Sequence, residues 1–298
     1  MDLQQLRYVV EVADASSFTR AAERCFVTQS ALSHQIAALE RELGQRLFHR
    51  SSRSVRPTEV GEAFLARARL AVSAADGARE DAAAAAGQVV GTLRLGVIPT
   101  VAAVDVPAII VRFRGSHPGV RVELTVGNSD DLIVAVRSGH LDVALLGLRA
   151  DAPAPSGVEA RVLARERLVA VLPRSHRLAS RPRIRLADLE GEVFADFPAG
   201  TSGRAQADTA FEAAALARDV AFEADSAELL LGLVAAELAV TLLAPGVVAR
   251  SSADVVCIDV VDGPSRIEYA AWDAQAPRTV ARAFLMVLDT AAAATAPA

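Results

Sequence analysis

SFTRAAERCFVTQSALSHQIAALERELGQRLFHR, residues 17–50, is the stretch from which the rest of the chain is read. Ser17 has the chemistry of an N-cap for a short helix, Phe18 to Cys25, and Phe26-Val27 makes a turn. Thr28 then caps a longer helix with Leu32, Ile36, Leu39 and Leu43 at i, i+4, i+7 and i+11. At 100° per residue these four form one narrow apolar stripe, while Ser30, His34, Ala37 and Arg41 face the other way. One side packs and the other is free to read something. The pattern predicts two helices joined by a tight turn, the second with a polar outer face.

Upstream, Leu3, Leu6, Val9 or Val10, and Ala13 recur at helical spacing and predict a first helix with that face inward. Downstream, QRLFHRSSRSVRP is poor in helix formers and reads as a short β-hairpin or wing. Thr58 caps a long Ala-rich helix through Val60, Phe64, Leu65, Ala68, Val72 and Ala75 to the alanine run 82–86, with Gly87 and Gly91 marking its end. Such a helix has no core of its own to cover and pairs most simply with its copy in a second chain. From Thr92 short apolar runs alternate with helical stretches: TLRLGVIP, VPAIIVRFR, VRVELTVG, DLIVAVRSG, LDVALLGL. This βαβαβ rhythm predicts a parallel sheet flanked by helices, and a second run starts at RERLVAVLP and continues through LAVTLLAP to VVCIDV. ADAPAPSG, residues 150–157, reads as a surface loop, and AAAATAPA at the C-terminus as a frayed tail.

The 298 residues suffice for about two domains with packed cores. Residues 1–58 carry eight arginines against six acids, and the remainder has a net charge of −7. A small basic head on an acidic body implies that only the head approaches a polyanion. Every basic residue is arginine, so the enzyme classes that need a phosphate-loop or Schiff-base lysine are excluded. Asp2, Arg7 and Glu11 interrupt the N-terminus, unlike a secretion signal. Glu237 and Pro245 interrupt the most apolar stretch, from Leu229, short of a membrane span. Cys25 and Cys257 form no CxxC and read as small buried hydrophobes in a reducing compartment. The expectation is a cytoplasmic protein with no membrane partner.

Residues 17–50 closely resemble the helix-turn-helix of the LysR-type transcriptional regulators, and SVRPTEVG resembles that family's wing-to-linker junction. VPAIIVRFRGSHPGVRVELTVGNSDDLIVAVRSGHLDVALLG is similar to the first subdomain of the family's effector domain. The resemblance implies a winged helix-turn-helix DNA-binding domain at 1–58 and a linker helix at 59–88 that dimerises. A type 2 periplasmic-binding-protein-like α/β effector domain follows at 91–298. Its subdomain I spans about 91–162 and 266–298, and subdomain II about 163–265. It also implies a tetramer built as a dimer of dimers on promoter DNA, and contact with RNA polymerase where the regulator activates. There are two departures from the family: Cys25 replaces a usual leucine, and Glu237 with Ala239 stands where glycine is common. The stretch 196–208 holds no cysteine, unlike the peroxide-sensing branch.

On this reading Gln29, Ser30, Ser33 and His34 face base edges in the major groove; the alternative is a solvated polar helix face. Arg50, Arg53 and Arg56 lie in the wing, within reach of phosphates or a narrow minor groove, with Arg53 best supported by family position. For the effector, Thr100, Ser129, Thr201 and Ser202 sit where strands end or helices begin. There hydroxyls and free N–H groups receive a carboxylate or other small anion, unless the residues are ordinary caps. Arg204 would add charge to the same pocket. No cofactor, metal site or catalytic residue is expected: GxSxG, HExxH, GxGxxG and CxxC are missing, and the five histidines have no ligand spacing. The rival roles are an enzyme and an exported solute-binding protein.

Overall fold

The computed structural model describes residues 1–50, 55–274 and 277–295. It divides into two compact units, Met1–Gly91 with Ser138–His140 and Thr92–Arg137 with Leu141–Ala298. Among the described residues no helix is long and apolar enough to cross a membrane.

In the first unit, α1 (Leu3–Ala15) opens on a capping box in which Gln5 N–H donates to Asp2 and Asp2 N–H donates back to the Gln5 side chain. Its inward face is Gln5, Tyr8, Val9, Val12 and Ala15, whereas Leu3 is 37% exposed. The expected face is therefore turned, because apolar residues stand on both stripes and only packing against the neighbouring helices selects one. Ser17 caps α2 (Phe18–Arg24) and Thr28 caps α3 (Gln29–Leu43) as expected. Leu32, Ile36 and Leu39 are fully buried, while Leu43, at the end of α3, is 38% exposed. The wing is an antiparallel hairpin, β1 (Phe48–Arg50) and β2 (Val55–Pro57), with His49 opposite Arg56. Phe48 sets its ring edge-on to Phe18 and joins the head core. Thr58 caps α4 (Glu59–Ala85), and ion pairs Arg7–Asp76 and Asp14–Arg69 tie it to α1. Gly61 allows this junction: a Cβ there would lie 2.0 Å from the Leu47 carbonyl oxygen.

The second unit has two lobes. The chain forms β3 (Gly91–Val97), α5 (Val106–Ser116), β4 (Val120–Val126), α6 (Ser129–Arg137), β5 (Val143–Arg149) and β6 (Glu159–Arg167). It then crosses to β7 (Val169–Pro173), β8 (Arg183–Ile184), β9 (Val193–Asp196), α7 (Ser202–Ala213), β10 (Asp219–Glu223) and α8 (Ala227–Ala235). After β11 (Thr241–Leu243), α9 (Pro245–Ala249) and β12 (Val255–Val260) it returns as β13 (Ser265–Trp272) and ends in α10 (Thr279–Thr295). The first sheet runs β4-β3-β5-β13-β6. It is mixed rather than parallel, since β13 is antiparallel to both β5 and β6 on its way back from the second lobe. The second sheet runs β11-β7-β12-β8, and a bridge between Phe194 and Val240 attaches the β9/β10 pair.

The first crossing lies at Arg167–Leu168, beyond the expected 162–163, because β6 stays paired with β13 through Arg167. Leu168 N–H donates to the Pro264 carbonyl at 2.9 Å, so the two crossings are bonded to each other. The expected frayed tail is helical to Thr295, and residues 296–298 lie outside the described ones. Cys25 is half-buried against the head core, but Cys257 is exposed, correcting its reading as a core residue. Its strand β12 buries Ile258 and Val260 on the opposite face.

Candidate DNA-reading face and effector cavity

With Leu32, Ile36 and Leu39 turned inward, the N-terminal part of α3 presents Gln29, Ser30 and His34 exposed and Ser33 half-buried. Gln29 Nε2 donates to Ser33 Oγ at 2.9 Å, and the Thr28 and Ser30 hydroxyls lie 3.1 Å apart. The four expected reading residues are thus brought together. Arg56 is exposed on the wing, Arg50 ends β1, and Arg53 lies outside the described residues.

In the second unit a cavity of about 390 Å³ opens between the lobes. Thr100, Ser129 and Thr201 line it, as expected, together with Phe197, Gln206 and Asp225. The N-terminal ends of α6 and α7 converge there. Each expected hydroxyl also has a structural partner. Ser129 Oγ donates to the Gly147 carbonyl and accepts from the Gly147 N–H, both at 3.1 Å. Thr201 caps α7, whereas α6 is capped by Asn128, whose side chain accepts from Asp131 N–H. Thr100 Oγ1 accepts from Arg266 at 2.9 Å.

Ser202 and Arg204 do not line the cavity. Ser202 donates its N–H and hydroxyl to Asp130, and Arg204 spends its guanidinium on Asp208, Glu223 and the Phe197 carbonyl. No arginine lines the wall, so the added charge expected from Arg204 is not there.

Behind Thr100 lies a buried ionic cluster that sequence reasoning missed. Arg266, 2% exposed, donates to Thr100, Glu166 and Glu268, and Glu268, 1% exposed, accepts the N–H groups of Ala102 and Ala103. Burial pushes the Glu268 carboxyl up to about 7, against the pull of Arg266 and the two backbone donors. The available signal was an Arg-x-Glu pair inside the otherwise apolar SRIEYAAW.

A helix-turn-helix with a free polar face, joined to a two-lobed α/β body with a cavity between its lobes, defines a DNA-binding regulator controlled by a small ligand. Residues 3–62 match the bacterial regulatory helix-turn-helix protein model of the lysR family, and residues 86–293 match the LysR substrate binding domain. The chain belongs to the LysR family of transcriptional regulators. It is 35% identical over 246 residues to the transcriptional dual regulator GltC of Bacillus subtilis, covering 82% of this chain and 80% of that protein. A full-length OxyR variant of Pseudomonas aeruginosa superposes with a TM-score of 0.77 at 27% identity, over 97% of this chain and 94% of that one. Full-length CbnR, solved with its target DNA, superposes with a TM-score of 0.68 at 26% identity, over 98% of this chain and all of that one. These relatives are transcription regulators, not enzymes or exported binding proteins.

Proposed function

We propose that this regulator reads its operator through Gln29, Ser30, Ser33 and His34 in the major groove, with Arg50, Arg53 and Arg56 on the flanking backbone. The supporting observation is the exposed polar end of α3 on a helix whose other stripe buries Leu32, Ile36 and Leu39. Gln29 suits bidentate pairing with adenine, while the wing guanidiniums neutralise phosphates whatever the sequence. The effector is a small carboxylate or other small anion, met by the N-terminal ends of α6 and α7 and the hydroxyls of Thr100, Ser129 and Thr201. Asp131 and Asp225 on the same wall favour an anion that also carries hydrogen-bond donors. Ala63, Ala66, Ala71, Ala74, Ala78 and Ala82 are exposed along α4 and let a second copy of the helix approach closely. The protein thus works in the cytoplasm as a dimer or a dimer of dimers.

Binding of a genomic fragment upstream of its own coding region tests the head. Gln29→Ala should lower discrimination against unrelated DNA by about 1–3 kcal/mol. Arg56→Ala should weaken both DNAs alike and reduce the salt dependence. An unchanged ratio of specific to nonspecific affinity in Gln29→Ala rules out base reading by that residue.

A further inference from the structure

Phe26 is 96% exposed and sits at φ +55°, in the left-handed region. It closes α2: its N–H donates to the Glu23 carbonyl, and Val27 N–H donates to the Ala22 carbonyl at 3.0 Å. That pattern calls for glycine at the left-handed position. Among the described residues, the other non-glycine residues with positive φ are Ser16, Ala215 and Glu237, all small or polar. A bulky aromatic ring in that conformation is strained, and full exposure leaves its apolar surface in water. Neither feature serves the folded head, whose core is complete without this ring. Strain retained at an exposed position points to function.

The location indicates which function. Two residues on, Thr28 caps α3, and Gln29 and Ser30 begin its reading face. We infer that Phe26 is a further DNA-contacting residue, its ring laid against deoxyribose on the backbone beside the groove that α3 enters. The inference rests on the groove reading of α3 given above. An apolar ring on sugar removes surface from water without neutralising a phosphate, so it adds affinity with neither counterion release nor sequence preference.

The test is binding of the full chain to two short duplexes at low salt, one wholly A·T and one wholly G·C, with urea denaturation alongside. Phe26→Gly should keep or raise the urea midpoint, since glycine relieves the strain. It should weaken binding to both duplexes by about fivefold to tenfold, with an unchanged salt slope. Phe26→Tyr should restore binding. Unchanged affinity in Phe26→Gly overturns the inference, and so does a reduced salt slope. Loss confined to the A·T duplex overturns it in favour of a thymine-methyl contact. A smaller oligomer in Phe26→Gly overturns it in favour of a seal between copies. If the wild-type chain binds neither duplex, the groove reading of α3 falls, and this inference with it.

Discussion

Glu237 is a residue whose meaning changed once its backbone was known. In the sequence it was a charge interrupting an apolar run where the family favours glycine. In the structure it closes α8 at φ +61°, with Glu237 N–H bonded to the Val234 carbonyl and Leu238 N–H to the Leu233 carbonyl. This is the helix-ending motif that glycine suits best. Its carboxylate accepts from Ser175 Oγ at 2.6 Å, an exposed contact of small net value. Left-handed strain costs about 1–2 kcal/mol, and the added freedom of glycine in the unfolded chain takes back roughly 0.5–1. Glu237→Gly should therefore stabilise the protein by about 0.5–1 kcal/mol, read as a higher urea midpoint at unchanged slope. A lower midpoint would mean that the Ser175 contact outweighs the strain. Ser129 carries a different lesson: a hydroxyl at a helix start resembled a cap or a ligand contact, and it also holds the Gly147 backbone across to β5.

Among the elements, β13 carries the most consequence. It runs antiparallel between β5 and β6, and it places Arg266 and Glu268 behind the loop that follows β3. That loop lines the cavity through Thr100, so the cluster positions this part of the cavity wall. The Glu268 carboxyl, raised by burial to about 7, keeps a proton in the folded protein that the unfolded chain releases near 4.5. The folded state then binds more protons between those values, and this group's contribution to stability falls as pH rises through that window. Glu268→Gln removes the dependence, so its stability relative to wild type should climb from pH 5 to about pH 8 in urea melts. A difference that stays flat with pH would show that Glu268 is ionised throughout.

At the scale of the molecule, the two units have separate cores, one around Val9, Leu32 and Phe48 and another around Val171, Phe194 and Leu230. Among the described residues, every strand of the effector domain lies at or beyond Gly91. A fragment of residues 89–298 should fold cooperatively and show no affinity for duplex DNA that the full chain binds. Any small carboxylate that raises the melting temperature of the full chain should raise that of the fragment as well. Val126→Trp, at an exposed position on the cavity wall, should abolish that rise without lowering the unliganded melting temperature. An insoluble fragment, or a ligand effect that survives Val126→Trp, would refute an autonomous sensor with its site in this cavity.

By itself the sequence determined the helices of the head, the long helix and the alternation of strands and helices in the body, together with the capping roles of Ser17, Thr28 and Thr58. It did so because each rests on periodicity or on hydrogen bonds spanning only a few residues. The grouping of Gln29, Ser30, Ser33 and His34 was legible for the same reason, since one helix carries them all. Tertiary structure decided which stripe of α1 faces inward, the antiparallel run of β13, the exposure of Cys257, and the partners that take Ser202 and Arg204 off the cavity wall. It also decided that Arg266 stands behind Thr100, 166 residues away along the chain. Such pairings depend on how distant strands and helices meet, and no local pattern of residues records that.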